Sequence, residues 1–342
     1  MMKLIASANE SFTQIDEDAL RQCLERTAPD VFGETSAIAA IERTRFHSCT
    51  SYDAYVVTVR LVSGAEVRLF HKDFSNSLRP KDGAKQRRER EVLVYRNLLL
   101  GADLGTARYY GSVMDETDGR VWLLLEYVAG TPVGYTELGP GWAPAAEGLG
   151  RLHGYFGPHV DQLRACDYLI HHNVDFLWAT VEQAVRSLAQ IAPAMLGRLE
   201  RLVARYDPVV AVMAAQPTTL LHGSSRGSNI LIQVVSDPSR VCILDWEQAA
   251  LGPPLFDLAH LVDGIEPPLL DRLLDAYRRG AAAYGMSLPA DDEVKHTVAC
   301  FRLHMVLNLL ARSVLKRYTG KDMVKLLDYG ERISSTVLDQ AR

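Results

Sequence analysis

The chain of 342 residues is 48% hydrophobic and 23% charged, a balance typical of a globular protein with one large or two packed domains rather than of a disordered chain. Its net charge of −5 argues against a general nucleic-acid binder, because such proteins neutralise phosphates with clustered Lys and Arg. The one basic cluster, residues 81–90, is interrupted by acids and lies in a helical pattern, which is typical of a solvated helix face.

The cysteines and the apolar segments indicate a cellular location. Five cysteines are widely separated and lack the paired spacing of a zinc site, which suits a reducing compartment. The apolar run before Asn9 and Glu10 is too short for a secretory signal, and no later segment offers the roughly 20 uncharged apolar residues that span a bilayer. We therefore expect a cytoplasmic protein with neither nucleic acid nor membrane as a partner.

The chain begins with the patterns of a short helix and a small sheet. Residues 1–35 predict a helical lead-in, with Asp16 or Asp18 as a possible cap. Alternating side chains over residues 54–61, followed by a Ser-Gly turn and residues 67–72, predict a β-hairpin.

A helix and two further strands complete this first region. The pattern over residues 85–99 predicts a helix whose Glu91 shares one stripe with two apolar side chains. Residues 107–114 and 120–127 predict strands on either side of a polar turn that ends in glycine.

Beyond residue 130 the pattern is helical almost throughout. The exceptions are two apolar runs, residues 229–235 and 241–244, which predict a hairpin set among helices. The predicted helices cover residues 143–153, 174–190, 194–206, 268–284, 293–315 and 321–338. The sequence thus predicts an α+β protein with a lead-in at residues 1–35, a small lobe at 36–130 ending in a hinge at about 126–130, and a helical lobe at 131–342.

Three segments of the helical lobe carry recognisable chemistry. Residues 220–231 read Leu-Leu-His-Gly-Ser-Ser-Arg-Gly-Ser-Asn-Ile-Leu, residues 243–247 read Ile-Leu-Asp-Trp-Glu, and residues 252–259 read Gly-Pro-Pro-Leu-Phe-Asp-Leu-Ala. They resemble the catalytic loop His-Gly-Asp-x-x-x-x-Asn, the metal motif and the following helix start of the aminoglycoside phosphotransferase and choline kinase family. Lys72, Glu91 and the segments 123–130 and 149–153 extend the resemblance collinearly over residues 45–265.

The resemblance implies a protein-kinase-like fold of two lobes, with a small antiparallel-sheet N-lobe and a large, mainly helical C-lobe. It also implies that ATP and Mg²⁺ are bound. Lys72 would reach the α and β phosphates and pair with Glu91, and the backbone of Glu126 and Val128 would contact the adenine edge.

The helical lobe would supply the metal ligands and a phosphate contact. Mg²⁺ takes oxygen ligands, so the Asn229 amide and the Asp245 carboxylate are suitable, and Glu247 could add a second acid. Arg226 could approach the γ-phosphate, although a surface loop arginine is an equally fair reading.

Several other residues are interpreted as structural. His222 would pack beneath the catalytic loop, and Asp257 would accept hydrogen bonds from the loop backbone. His153, His171 and His172 have no partners that the sequence reveals, and we expect them to be satisfied or exposed rather than ligands.

Two positions depart from the family. Ser224 stands where the family has the aspartate that takes the proton of the attacking hydroxyl, and loss of such a base costs about 10²- to 10⁴-fold in rate. Glu247, Asp263 or the substrate could supply the base; otherwise catalysis has been lost, or the serine was introduced deliberately. The turn at residues 48–53, which would cover the phosphates, contains no glycine.

The leading hypothesis is an ATP-dependent kinase that acts on a hydroxyl of a small molecule held around residues 160–200 and 295–315. An aminoglycoside would favour an acidic pocket, for which the candidates are Asp161, Asp167, Asp175 and Asp263. A sugar, an amino alcohol or a peptide hydroxyl fits as well. The rival hypothesis is a pseudokinase, a nucleotide-responsive scaffold whose Ser224 marks abandoned chemistry.

Overall fold

A computed structural model describes residues 14–32, 37–47, 51–79, 81–115, 117, 119–135, 139–233 and 239–339. The chain divides into two compact units. The first contains the described residues up to Ala84 with Tyr95–Leu100 and Ala107–Val128; the second contains Lys85–Val94, Gly101–Thr106 and the residues from Ala129 onward. The units therefore interleave along the chain, whereas the sequence-based limits 1–35, 36–130 and 131–342 are consecutive, and those limits stay a prediction.

The first unit is built on a five-stranded antiparallel sheet in the order β1-β2-β3-β5-β4. Its elements are helix α1 (Gln14–Phe32) and strands β1 (Ile38–Arg45), β2 (Tyr52–Leu61), β3 (Glu66–Ser77), β4 (Tyr109–Asp115) and β5 (Arg120–Glu126). The predicted hairpin is confirmed, since β2 pairs with β3 along its length. Strand β1 was not predicted, because its residues Ile-Ala-Ala-Ile-Glu-Arg-Thr-Arg do not alternate regularly between buried and exposed positions.

Helix α1 packs against the sheet and closes the core of the first unit. Leu20, Cys23 and Leu24 are buried with Val57 and Trp122, among others. Burying a leucine of this kind contributes about 1.5–3 kcal/mol through removal of apolar surface from water. The described part of the helical lead-in is therefore an integral part of this unit; residues 1–13 and 33–36 lie outside the described residues.

The predicted helix at 85–99 consists of two segments with different hydrogen-bonding patterns. Helix α2 (Ala84–Val94) is α-helical, and Tyr95–Leu99 form a π-helical turn. The apolar stripe identified in the sequence is compatible with both forms, so it predicted a helix here but not the wider turn. Such turns are rare and often occur near functional sites.

The second unit is mainly helical, as predicted. Its elements in chain order are β6 (Thr131–Pro132), α3 (Trp142–Phe156), α4 (Val160–Arg164), β7 (Ile170–His171), α5 (Val174–Ile191), α6 (Leu196–Val203), α7 (Asp207–Ala214), β8 (Thr219–Leu221), β9 (Ile230–Gln233), β10 (Arg240–Ile243), β11 (Ala250–Gly252), α8 (Leu255–Leu261), α9 (Leu269–Ala282), α10 (Asp291–Ala311), α11 (Ser313–Lys316) and α12 (Gly320–Asp339). The sequence therefore predicted the fold class correctly, a mixed α+β protein with an antiparallel sheet before the helices.

Two small sheets correct the prediction of a single hairpin among the helices. The predicted hairpin exists as β9 and β10, and β6 adds a third strand to it. Strands β7, β11 and β8 form a second sheet. Strands of two or three residues are too short to show an alternating pattern, which is why the sequence did not reveal them.

Helices α3 and α9 touch through their backbones. A Cβ atom at Gly150 would collide with the carbonyl oxygen of Tyr277, and one at Gly280 would collide with the carbonyl oxygen of Glu147. Glycine is required at both positions, because any side chain would push the helices apart. The two helices therefore pack at close range in the second unit.

Helix α10 runs through the core of this unit. It buries residues on all sides, including Phe301, His304 and Leu307, so it lacks the polar face of a surface helix. None of the described helices is both long and apolar enough to cross a membrane. The four described cysteines, Cys23, Cys166, Cys242 and Cys300, form no disulfide.

Candidate active site

The candidate catalytic loop, residues 222–229, connects β8 to β9 in the second unit. Gly223 has a φ of +76°, and a Cβ there would collide with the carbonyl oxygen of Gln248. Only glycine meets both conditions at low cost, because it alone adopts positive φ readily and has no side chain. The loop thus lies against the turn that follows Asp245.

A buried carboxylate holds the loop from below. Asp257, on α8, accepts the backbone N–H of His222 at 2.6 Å and that of Gly223 at 2.9 Å, and the Ser225 hydroxyl lies 3.2 Å from the same carboxylate. His153 Nε2 approaches it at 3.3 Å, and the Tyr277 hydroxyl lies 2.7 Å from His153 Nδ1. The predicted role of Asp257 is confirmed.

The charge of Asp257 is stabilised although the residue is fully buried. Burial, the largest single effect, would raise the pKa of its carboxyl, but the hydrogen bond to His153 and the electrostatic attraction of His153, His222 and His260 together lower the pKa to about 2. No partner for His153 was predicted from the sequence, because its two ring contacts lie 104 and 124 residues away along the chain.

His222 lies beneath the loop, as predicted. Its Nδ1 accepts the Ser224 N–H at 3.3 Å, so its Nε2 carries the proton that is donated to the Leu244 carbonyl at 2.8 Å. Its ring meets Trp246 edge to face, with 4.9 Å between centroids. Burial lowers the pKa of His222, which keeps the ring neutral and in the tautomer that both hydrogen bonds require.

Asn229 links the end of the loop to the predicted metal motif. Its Nδ2 donates to the Ser224 carbonyl and its backbone carbonyl accepts the Leu244 N–H, each at 2.9 Å. The next residue, Asp245, adopts a left-handed conformation with φ 68° and ψ 62°. A non-glycine residue rarely takes this conformation, and such strain is concentrated at functional sites.

These residues fit a magnesium ion by the chemistry of their donor atoms. The side-chain nitrogen of Asn229 donates to the Ser224 carbonyl, which leaves the amide oxygen as the atom that could bind a metal. Asp245 supplies a carboxylate. Among the described residues no group of three or more His, Cys, Asp or Glu could hold a metal by itself. Two protein ligands suit Mg²⁺, which usually completes its shell with water and substrate phosphates.

Glu247, the proposed second acid, already has basic neighbours. Its carboxylate lies 3.5 Å from Arg87 Nη1, and its backbone carbonyl accepts Arg90 Nη1 at 2.6 Å. Arg90 also donates to the Tyr168 carbonyl at 2.7 Å and is buried, and burial lowers its pKa. From the sequence, both arginines were interpreted as part of a solvated basic cluster, so these contacts were not predicted. A metal role for Glu247 stays a prediction.

Three predicted nucleotide contacts lie in the first unit. Lys72 is buried, on the central strand β3, where it pairs with Ala54 and Leu123. The strand continues five residues past Lys72 to Ser77, so the prediction that it ends there was wrong; the polar run after it hid the continuation. Glu126 ends β5 and Val128 is buried two residues later.

The predicted ion pair joins residues of different units. Glu91 belongs to the second unit and is buried, with 1% of its surface exposed. Its pairing with Lys72 and the adenine contacts of Glu126 and Val128 stay predictions. Of the glycine-free turn, residues 48–50 lie outside the described residues; Asp53 pairs with Arg45 at 2.6 Å.

A cavity of about 370 Å³ borders the catalytic loop within the second unit. Its lining includes Arg226, His260, Asp263, Met305, Asn308 and Tyr318. Residues from the predicted acceptor region 295–315 take part, whereas none from 160–200 does. His260 was missed, because it lies inside an apolar helical pattern that gives no sign of a cavity.

The remaining predicted residues are divided between surface and core. Ser224 is half-buried, and Arg226 is exposed, with its backbone N–H bonded to the Ser224 carbonyl at 2.8 Å. His171 is exposed, whereas His172 is buried and stacks on Phe176 with 4.0 Å between ring centroids. Of the four proposed pocket acids, Asp161, Asp167 and Asp175 are exposed and do not line the cavity.

The comparisons with known proteins now decide the family. The model of the phosphotransferase enzyme family, APH, matches residues 53–293, well over half of the chain. The chain belongs to this family. No curated protein sequence matches it.

Solved structures of similar fold agree. Choline kinase from Cryptosporidium parvum Iowa II is 12% identical with a TM-score of 0.60, and the match covers 95% of this chain and 97% of that one. A choline/ethanolamine kinase family protein from Mesorhizobium loti is 17% identical with a TM-score of 0.57, covering 94% and 98%. The GDP and kanamycin complex of APH(2")-IIIa is 16% identical with a TM-score of 0.55, covering 93% and 99%. At such identities the likeness establishes the fold, which is protein-kinase-like.

Proposed function

We propose that this phosphotransferase transfers the γ-phosphoryl group of ATP, with Mg²⁺, to a hydroxyl of a small molecule. The observation that carries the proposal is the intact loop: Asp257 holds its backbone, and Asn229 is bonded on one side to Ser224 and on the other to Leu244, beside Asp245. The left-handed conformation of Asp245 costs free energy, and such strain is usually retained at sites that function.

The roles of the residues follow from their chemistry. Asn229 and Asp245 would hold Mg²⁺, which when bound neutralises charge on the phosphates. Lys72 would neutralise the α and β phosphates, and Arg226, exposed at the loop surface, would reach the γ-phosphate. Because phosphoryl transfer has a loose transition state, positioning and charge account for most of the catalysis, and none of these groups depends on the side chain at position 224.

The cavity beside the loop supports a small acceptor of low charge. Arg226 and Asp263 offer one charge of each sign, and the other polar groups of the lining are uncharged or a histidine. A polycationic aminoglycoside would favour several acids, whereas Asp263 is the one acid among the described lining residues. We therefore favour an amino alcohol or a sugar with at most one amine. We propose that the reaction takes place in the cytoplasm, since five widely separated cysteines suit a reducing compartment.

One observation favours a second function. Ser224 cannot act as a general base, which suits a pseudokinase that binds nucleotide and serves as a regulatory or scaffold module. Both functions require bound nucleotide, so turnover rather than binding separates them.

The test is an assay of ATP consumption by wild type and Ser224→Asp, with ethanolamine, choline, glycerol, glucose and kanamycin as acceptors. Turnover in wild type that falls in the variant supports a kinase with another base. Turnover in the variant alone supports a disabled kinase, and turnover in neither, with magnesium-dependent ATP binding intact, supports the pseudokinase.

A matched binding measurement accompanies the assay. ATP should raise the melting temperature only with Mg²⁺, because a ligand that binds the native state stabilises it by mass action. Asp245→Ala should abolish this response, whereas Asp161→Ala, which removes an exposed acid of the same unit, should retain it. An equal response with chelator, or in Asp245→Ala, would remove the metal-site assignment.

A further inference from the structure

An acceptor hydroxyl must lose its proton, and Ser224 cannot take it near neutral pH. The inference that follows rests on the proposed function and assigns this proton to another residue. Glu247 is held by Arg87 at 3.5 Å. Asp263 is exposed and accepts the Tyr329 hydroxyl at 2.8 Å. The described residues that line the cavity beside the loop include two side chains able to act as a base at neutral pH, Asp263 and His260. Of these two, His260 is the one with no hydrogen-bond partner among the described residues at its buried ring nitrogen.

Helix α8 places His260 beside the loop that carries Ser224. His260 is three residues after Asp257 and therefore lies on the same face of the helix, one turn further along. Asp257 is bonded directly to the backbone of Gly223 at 2.9 Å. Arg226, whose N–H is bonded to the Ser224 carbonyl at 2.8 Å, lines the same cavity as His260. The imidazole and the loop thus border a common space.

The ring of His260 packs against the core of the second unit. It meets Phe256 edge to face with 4.7 Å between centroids, and Phe256 is itself buried against Phe301. Its Nδ1 is buried with no hydrogen-bond partner among the described residues, while the residue as a whole is half-buried. The accessible edge of the ring is therefore the one that carries Nε2.

We propose that Nε2 of His260 accepts the proton of the acceptor hydroxyl, in place of the missing carboxylate. The acceptor oxygen forms a bond to the γ-phosphorus of ATP as the bond from that phosphorus to the β,γ-bridging oxygen breaks. The electron pair of the broken bond leaves with ADP. The proton resides on Nε2 until it passes to solvent.

The basicity of His260 matches this role. Burial, with smaller contributions from Arg226 and His222, lowers its pKa to about 4. An aspartate has an ordinary pKa of about 3.9, so the ring is as strong a base as the residue it replaces and is uncharged at neutral pH. The titratable and charged groups around it, on its own helix and on neighbouring elements, are Asp257, Asp263, His222, Arg226, His172 and His304.

The experiment removes the base and keeps a polar group of similar size. His260→Gln should lower ATP turnover about 10²- to 10⁴-fold, the usual contribution of a general base. The assay uses whichever of ethanolamine, choline, glycerol, glucose or kanamycin gives turnover, or water where none does. The affinity for Mg²⁺ and ATP should be unchanged. His171→Gln, which removes an exposed imidazole of the same unit, should leave turnover unchanged.

A rescue experiment separates proton transfer from a structural role. His260→Ala leaves space for added imidazole, which should restore turnover. The rescued rate should rise as pH passes about 6.5, where an ordinary imidazole loses its proton, while wild type stays flat in this range. Ser224→Asp should also restore turnover in the His260→Gln background, since it returns a carboxylate to the family position.

The outcomes distinguish the inference from the proposed function. Full turnover in His260→Gln overturns the inference and leaves the kinase standing. Lost turnover that imidazole does not restore assigns the ring a structural role and also overturns it. No turnover in wild type, with Mg²⁺-dependent ATP binding intact, overturns the proposed function and the inference with it.

Discussion

The two sides of the catalytic loop have different constraints. The underside is buried, where Asp257, His153 and His222 form a closed set of hydrogen bonds. The upper side carries the exposed Arg226 and Ser224, the position at which the sequence resemblance predicts the family's reactive aspartate. The backbone of the loop is therefore held from its buried side, by Asp257 and His222 among others.

The largest difference between the sides should appear on removal of the buried carboxylate. Asp257→Ala leaves the N–H groups of His222 and Gly223 buried without their acceptor, and should lower the free energy of unfolding by about 3–5 kcal/mol. Ser224→Ala, on the upper side, should change it by about 0.5 kcal/mol or less. Urea denaturation of both variants measures the difference, and equal losses would contradict the comparison.

A smaller effect is expected at Gly223. An alanine there combines left-handed backbone strain with a collision against the Gln248 carbonyl, and should cost about 2–4 kcal/mol. Gly285 is the control, since its φ of +77° is nearly the same and no atom lies within 4 Å of its Cβ position. Gly285→Ala should therefore cost about 1–2 kcal/mol, from strain alone. Equal denaturation midpoints for the two variants would show that the contact is unimportant.

The buried histidines near the loop should make stability depend on pH. Burial lowers the pKa of His172 and of His304 to about 3. Between an unfolded pKa of about 6.5 and these values, the unfolded chain binds protons that the folded chain does not, so stability falls as pH falls. From about pH 7.5 to about pH 5.5, each ring should cost about 1.4 kcal/mol.

His172→Phe tests this dependence while keeping an aromatic ring stacked on Phe176. The free energy of unfolding of the variant, measured in urea, should fall between about pH 7.5 and about pH 5.5 by about 1.4 kcal/mol less than that of wild type. His171→Phe, at an exposed neighbour, is the matched control and should leave the dependence intact. An unchanged slope in His172→Phe would contradict a neutral buried ring.

The smallest expected effect concerns the predicted phosphate contact. If Lys72 and Glu91 act as a pair, Lys72→Ala and Glu91→Ala should weaken ATP binding non-additively, with a coupling of about 1 kcal/mol. Calorimetry of the two single variants and the double variant completes the cycle. Additive losses would show that the lysine acts without the glutamate.

The sequence predicted the parts of the fold whose signal is repeated over many residues. Long helices such as α5 follow from periodicity, and the β2–β3 hairpin follows from alternation and a glycine turn. Strands β7 and β11 have two or three residues, and each is a strand because it pairs with a neighbouring strand. Segments this short show no local pattern from which a strand could be predicted. The π-helical turn at Tyr95–Leu99 has the same composition as an ordinary helix end.

The candidate site divides in the same way. Asp257 was predicted because its motif states its role, whereas His153 and Tyr277 bond each other from 124 residues apart and share no motif. His260 acquires its significance from the cavity beside it, which does not exist until α8 and α10 are packed. A site formed by residues far apart in the sequence cannot be predicted from a motif in any single segment.

The backbone contact of α3 with α9 limits which insertions the chain can tolerate. Gly150 and Gly280 fix the rotation of the two helices about their axes, and the same rotation points Tyr277 at His153. One residue inserted between Tyr277 and Gly280 would turn the tyrosine by about 100° relative to its glycine, since an α-helix has about 3.6 residues per turn. The hydroxyl would then leave His153, and through it the support of Asp257. This helical segment must therefore keep its number of residues.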